Sequence, residues 1–481
     1  MRLIPYRGRA VATLAIAAAT LLAGCDKTKS ALLEAVDPDI IDPSSVQSEA
    51  GAIAVRNGAL SRLRSATAGG ESSWLFGGLL ADEWATSSTF VQNDETDQRR
   101  IQTNNSTVNS TLRLLYRVRT ASNQAIGLLN KYRPTPVADI AEMYFARGFA
   151  ELQLASDFCN GIPLTDGAGE EVSFGMPLSV KEVFTVAAAS FDTAIAMTSG
   201  TDAASVAINR AARIGKARAL LGVSLDNAAA AAALVPTSIV PTDYHYDVTS
   251  SLTTSSNILW SQPASQMRYV VSDSVQGPSR NILVGNAIPF LSARDPRVPA
   301  HYRIAANGRD TVKAQDGNTY VISVDSLWGQ TTAVALVSGI DARLIEAEAA
   351  LKAGQPGTMI SILNDLRGTP RVITASSPTA TGTHPGWTTP VMPAVADPGT
   401  PDGRVNLLFR EAAFWQFGRG VRLGNLRRLI RDYGRAADGS DTFPTGTHYK
   451  SGTFGTDVNL PVTTDEQVGN PNFHGCTDRK A

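Results

Sequence analysis

Residues 337–367 read VSGIDARLIEAEAALKAGQPGTMISILNDLR. Ile340, Leu344, Ala347 and Leu351 recur at i, i+4, i+7 and i+11, which lays one apolar stripe along a helix. Lys352-Ala-Gly354 interrupts the pattern, Pro356 suits the first position of a new helix, and Met359, Leu363 and Leu366 supply the facing stripe. The stretch therefore predicts a helical hairpin, 337–353 with 356–367. Neither helix can bury its apolar face alone, so hairpins of this kind must stack on others.

Comparable segments precede it. Residues 111–131 and 138–157 are split by Arg133-Pro-Thr-Pro136, which predicts an antiparallel pair. Residues 179–197 open with Ser179 and Glu182 at capping-box spacing, and 206–234 follow. With a further helical segment near 52–65, the pattern predicts a mainly α chain of tetratricopeptide-like helix pairs. The polar run SSTFVQNDETDQRRIQTNNSTVNST, 87–111, has no sustained period and is expected to be a long loop. Two blocks rich in Ser, Thr, Pro and isolated aromatics, about 235–331 and 369–403, interrupt the helices as irregular insertions with a few short strands.

At the amino terminus Arg2, Arg7 and Arg9 precede the apolar run AVATLAIAAATLLAG, the order of an export signal. The run ends in Leu22-Ala23-Gly24-Cys25, which resembles the bacterial lipobox; the alternative is an ordinary signal with a chance cysteine. The lipobox implies a signal peptide over 1–24 and lipidation of Cys25. Residues 25–48 then form a tether on the membrane surface, and 49–481 one domain. Two cysteines remain, Cys159 and Cys476. In an oxidising compartment they are expected to pair, with two free thiols as the alternative, and a bridge over that span is worth about 5 kcal/mol by loop entropy.

Seven arginines crowd the run from Phe409 to Arg435, which includes WQFGRGVRLGNLRRLIRDYGR, 415–435. Such a basic helix is the footprint of a nucleic-acid surface. The chain as a whole is neutral, with 43 Lys and Arg against 44 Asp and Glu, and it carries an export signal. No nucleic-acid partner is expected. The same run contains Gly418-Arg-Gly420-Val-Arg-Leu-Gly424, but its third glycine is one residue late for a dinucleotide loop and it follows a helix.

No catalytic constellation emerges. His245, His301, His384, His448 and His474 are dispersed, without metal-ligand spacing, and Gly222-Val-Ser224 does not continue as a nucleophile elbow. The carboxylate pairs Asp82/Glu83 and Glu346/Glu348 are no more frequent than chance allows, and the second pair is expected to face solvent or cap a neighbouring helix. Neither a metal nor a cofactor is expected. Binding is what remains: Trp387, Trp260, Trp84 and Trp74 lie in loop-like sequence and are candidate ligand platforms, with core packing as the alternative for each. Trp415 lies on an apolar helix face and is expected in the core.

Several segments, in order, resemble the SusD/RagB family of outer-membrane nutrient-binding lipoproteins. They are Tyr116 with Asn123; Arg147-Gly-Phe149 through Phe158-Cys-Asn-Gly161-Ile-Pro163-Leu164; Asp295-Pro296-Arg297; Arg343, Glu346 and Glu348 with Leu363-Asn364-Asp365-Leu366-Arg367; and the tail LPVTTDEQVGNPNF. Arg410-Glu411, Gly420-Val-Arg422 and Gly424-Asn425-Leu-Arg427-Arg428 belong to the same set, although Asn425 stands where the family usually has aspartate. The resemblance implies a SusD-like helical scaffold with an irregular ligand-binding face. It implies a lipid-anchored protein of the outer membrane, facing the exterior and without enzymatic activity, that captures a glycan or peptide for a TonB-dependent barrel of the SusC type. Arg410, Glu411, Arg422, Arg427 and Arg428 are then expected to tie the last scaffold helix to neighbouring carboxylates and carbonyls. The competing readings are a tetratricopeptide-type envelope assembly scaffold and an exported glycosidase.

Overall fold

The structure, a computed structural model, describes residues 46–169, 171–439 and 441–481. The leader 1–24, Cys25 and the tether up to residue 45 lie outside the described residues.

Three long helices form the first half of the scaffold: α1 (Glu49–Ser65), then, after two short helices α2 (Ser73–Leu80) and α3 (Val91–Asp97), α4 (Ser106–Tyr132) and α5 (Val137–Asp157). α1 packs on α4 and α4 on α5, so the break at Arg133–Pro136 does make an antiparallel hairpin. α6 (Val180–Met197) and α7 (Ala203–Val223) continue the stack against α5. Ser179 and Glu182 form the capping box that their spacing predicts, each serving the other's backbone N–H. The predicted helix 206–234 is divided, because Ser224 is extended and its hydroxyl accepts the Asp226 N–H, starting a turn that competes with the helix. A short α8 (Ala228–Ala233) resumes after it.

The opening hairpin is α9 (Gly339–Lys352) with α10 (Pro356–Arg367), Pro356 at the first position and Met359, Leu363 and Leu366 buried. Val337 belongs instead to the strand Val334–Ser338, which pairs antiparallel with His245–Val248, and Ser338 caps α9 with Asp341. α11 (Pro401–Trp415) and α12 (Arg422–Tyr433) complete the scaffold, α11 packing on both α9 and α10.

The stretch 87–111 is not one long loop. α3 and the start of α4 occupy much of it, and they escape a search for apolar periodicity because polar contacts hold them. Asn93 donates to the Tyr269 hydroxyl at 3.0 Å, Asp97 accepts the Thr86 N–H at 2.7 Å, and Asn105 caps α4. The blocks 235–331 and 369–403 are irregular as expected, apart from a helical stretch over 258–266 and the first residues of α11, with two- to four-residue strands paired antiparallel. One buried apolar cluster runs from Leu63 to Phe473 and joins these blocks to the scaffold. No described helix is long and apolar enough to cross a membrane.

Candidate functional site

Two of the four predicted platforms are core residues. Trp74 and Trp84 are both fully buried. Trp74 packs on Phe149 and donates its indole N–H to Gln153 at 3.2 Å; Trp84 sits among Phe417, at 5.0 Å between ring centroids, and Trp328. Loop-like sequence misled there, because these short segments run through the interior, where the large apolar face of an indole is an efficient filler. Trp260 is half-buried against the main core. Trp387 is also half-buried, and its indole N–H is committed to the Pro296 carbonyl at 2.7 Å, which pins the 369–403 block to the Asp295–Arg297 turn. Trp415 lies in the core.

From that anchored indole the chain leads to a different surface. Beyond Pro296, His301 and Tyr302 form a two-residue strand paired with Ile322–Ser323. His301 Nε2 lies 3.1 Å from Asp325, whose hydrogen bond raises the histidine pKa; Asp325 in turn falls below its ordinary value, chiefly through the same bond. The Asp325 carbonyl meets His384 Nε2 at 2.9 Å, so both irregular blocks converge on this residue. Next to them the half-buried rings of Tyr302 and Tyr320 stand perpendicular, 6.5 Å apart. The Lys313 ammonium lies 3.6 Å over Tyr320 and the Arg280 guanidinium 5.8 Å from Tyr302. Further along, exposed Phe90 carries Arg268 over its face at 4.8 Å, and backbone bonds from Gln315 to Met267 and from Asp316 to Ser87 hold these segments together. The result is a strip of partly exposed rings interleaved with cations and one His–Asp pair. It offers flat apolar faces beside hydrogen-bond donors, the combination a pyranose needs. The sequence marks this block as rich in isolated aromatics, but nothing in it singles out Tyr302 and Tyr320.

Against solved structures the chain aligns almost from end to end. Surface glycan-binding protein A from Bacteroides uniformis superposes with a TM-score of 0.60 at 14% identity, covering 89% of this chain and 99% of that one. A SusD superfamily protein from Bacteroides fragilis gives 0.59 at 17% identity, with 89% and 99% coverage. One from Parabacteroides distasonis gives 0.59 at 14%, again with 89% and 99%. The chain has a SusD-like fold. No family model matches the sequence, and no curated protein matches it in sequence.

Within this SusD-like fold the arginine run is a buried framework. Glu411 accepts two bonds from Arg297, at 2.7 and 3.1 Å, and one from Arg367 at 2.9 Å, which locks the Asp-Pro-Arg turn to α10 and α11. Arg428 grips Glu348 through both terminal nitrogens, and the Tyr433 hydroxyl donates to the same carboxylate at 2.7 Å. Glu348 is thus buried, not solvent-facing, while Glu346 beside it is half-buried and pairs with Arg343 at 3.2 Å. Arg427 caps the carbonyls of Ala155 and Ser156 at the carboxy end of α5, and Arg422 donates to the Ala81 carbonyl at 2.7 Å. Arg410 is exposed, its guanidinium 5.2 Å over the Phe414 ring. Asn425 donates at 3.4 Å to Gln416. Arg419, which sequence reasoning passed over, belongs to the same framework: it holds buried Asp341 at 2.7 and 3.2 Å.

Asp82 and Glu83 are not chance surface acids either. Both are buried beside Arg422, and loss of hydration pushes their pKa values up to about 8 and about 7. Asp82 is held by Gln276 at 3.1 Å and by Ser272; Glu83 accepts the Gly418 N–H at 3.1 Å. Cys159 and Cys476 are joined by a disulfide, with Cα atoms 6.0 Å apart. Among the described residues no group of three or more His, Cys, Asp or Glu is placed to hold a metal ion.

Proposed function

We propose that this protein is a cell-surface binding lipoprotein, anchored through Cys25 in the outer membrane. In this reading it captures an oligosaccharide on the Tyr302–Tyr320 strip and passes it to a TonB-dependent barrel of the SusC type. The observation that carries the reading is the strip itself. Two perpendicular rings have Lys313, Arg280 and the His301–Asp325 pair at their edges, on the irregular face of a SusD-like scaffold. Similarity in fold to a surface glycan-binding protein supports the choice of a sugar. Stacking of sugar C–H groups on the rings supplies apolar contact, and the edge groups hydrogen-bond hydroxyls. The role needs no catalysis; it needs a ligand that binds the open and closed positions of a lid with different affinity. The residues 49–481 act in it as one domain.

Affinity electrophoresis of the purified protein in gels containing single polysaccharides tests the assignment. Retardation by at least one glycan, lost in both Tyr302→Ala and Tyr320→Ala at unchanged melting temperature, is the expected result. Equal retardation of the variants, or release of reducing ends from the polysaccharide, would overturn it in favour of another face or of a glycosidase.

A further inference from the structure

Behind the framework, α5, α7, α9, α11 and α12 surround a cavity of about 70 Å³, distant in sequence from the proposed sugar face. Its wall contains Arg218, Arg427, Arg428 and Arg431 against Asp341 and Glu348. Both acids are already engaged, Asp341 by Arg419 and Glu348 by Arg428, while Arg431 pairs with Asp432 at 3.0 Å. That leaves Arg218 and Arg427. Arg427 is 1% exposed and uses one terminal nitrogen on carbonyls; its Nε and other terminal nitrogen have no protein partner. Arg218 has a terminal nitrogen that is likewise buried and unpartnered.

We propose that this cavity binds a small tetrahedral oxyanion of the phosphate or sulfate class. Both arginines line the cavity, and three of their buried nitrogens have no protein acceptor; a buried donor without one is costly and a buried charge costlier still. Water can satisfy the donors but leaves the charge. Asp157 acts on both arginines, but its own pKa is pushed up to about 7 by burial, so it neutralises them only in part; Asp341, which also acts on Arg218, is already held by Arg419. Loss of hydration also drags Arg218 to about 10 and Arg427 to about 9, the direction expected of cations lacking a counter-ion. An oxyanion presents several acceptors in a volume of this size, and guanidinium forks match its geometry. Half-buried Asn425 and Arg431 mark the side from which it enters.

Equilibrium dialysis of the full-length protein against radiolabelled inorganic phosphate, and separately sulfate, at constant ionic strength set with chloride, tests the site. One saturable equivalent per chain is expected. Arg218→Met should weaken it by about 10- to 100-fold, the loss of one or two charge-assisted hydrogen bonds. Asn425→Asp places a carboxylate on the same wall and should abolish uptake while leaving the protein at least as stable in phosphate-free buffer. Absence of saturable uptake of both ions by the wild type would overturn the proposal, leaving a cavity filled by water alone. So would uptake by Arg218→Met and Asn425→Asp equal to that of the wild type.

Discussion

Arg422 is buried, its Nε bonded to the Ala81 carbonyl at 2.7 Å, and its charge opposes those of Glu83 and Asp82. Replacing it with alanine removes a cation that lowers both carboxyl pKa values, so Arg422→Ala should lose about 3–5 kcal/mol of stability. Thermal unfolding measures this, and glycan retardation by the surviving fold should stay unchanged. The same acids give the molecule a pH signature. Because burial raises the folded pKa of Asp82 from 3.8 to about 8, the folded state holds a proton that the unfolded chain releases earlier. Its contribution to stability is complete below pH 4 and is lost as pH rises towards 8. Asp82→Asn should therefore gain on the wild type between pH 5 and 8, by up to ~4 kcal/mol at ~1.4 kcal/mol per pH unit. Denaturant midpoints across that range check it; parallel curves for the two proteins would refute it. None of this is legible from the residues alone. Asp82-Glu83 and Glu346-Glu348 look alike in sequence, and only packing removes water from Asp82, Glu83 and Glu348 while leaving Glu346 half-exposed.

At the scale of elements, the turn between α11 and α12 depends on two glycines with positive φ, Gly418 at 70° and Gly420 at 65°. A Cβ at Gly420 would lie 2.1 Å from Trp74, and one at Gly418 would lie 2.5 Å from Trp328. The glycine run that superficially matched a phosphate loop is there so that backbone can press on two buried indoles. Gly420→Ala should cost about 2–5 kcal/mol, from left-handed strain together with overpacking, read as a lowered melting temperature. The carboxy-terminal tail is fastened elsewhere: Phe158 bridges Leu460, and the disulfide joins Cys476 to a position 317 residues earlier. Alkylation without reductant should leave both cysteines unmodified, and reduction should lower stability by up to about 5 kcal/mol. Two alkylatable thiols would refute the bridge. The helices themselves were readable because the 3.6-residue period of α4 to α7, α9 and α10 is local, as are their caps. α3 was not, because Asn93 and Asp97 replace an apolar stripe with polar bonds to the distant Tyr269 and Tyr449.

For the whole molecule, the scaffold and the irregular blocks share one core, with Trp84, Trp328, Phe417, Phe290 and Phe414 in continuous ring contact where they meet. Tyr302, on the proposed strip, packs against this same core. Purification from solubilised membranes should bring down a large β-barrel with this protein; recovery of this protein alone would count against the proposed role as a lid. By itself the sequence determined the paired amphipathic helices, the capping box at Ser179 and the resemblance that the fold comparison supports, since periodicity, caps and motif order lie in short windows of chain. Tertiary structure decided which indoles face inward, which acids meet arginines, and that Tyr302 and Tyr320 stand side by side. Those outcomes depend on residues tens to hundreds of positions apart excluding water from one another, and no local window contains that information.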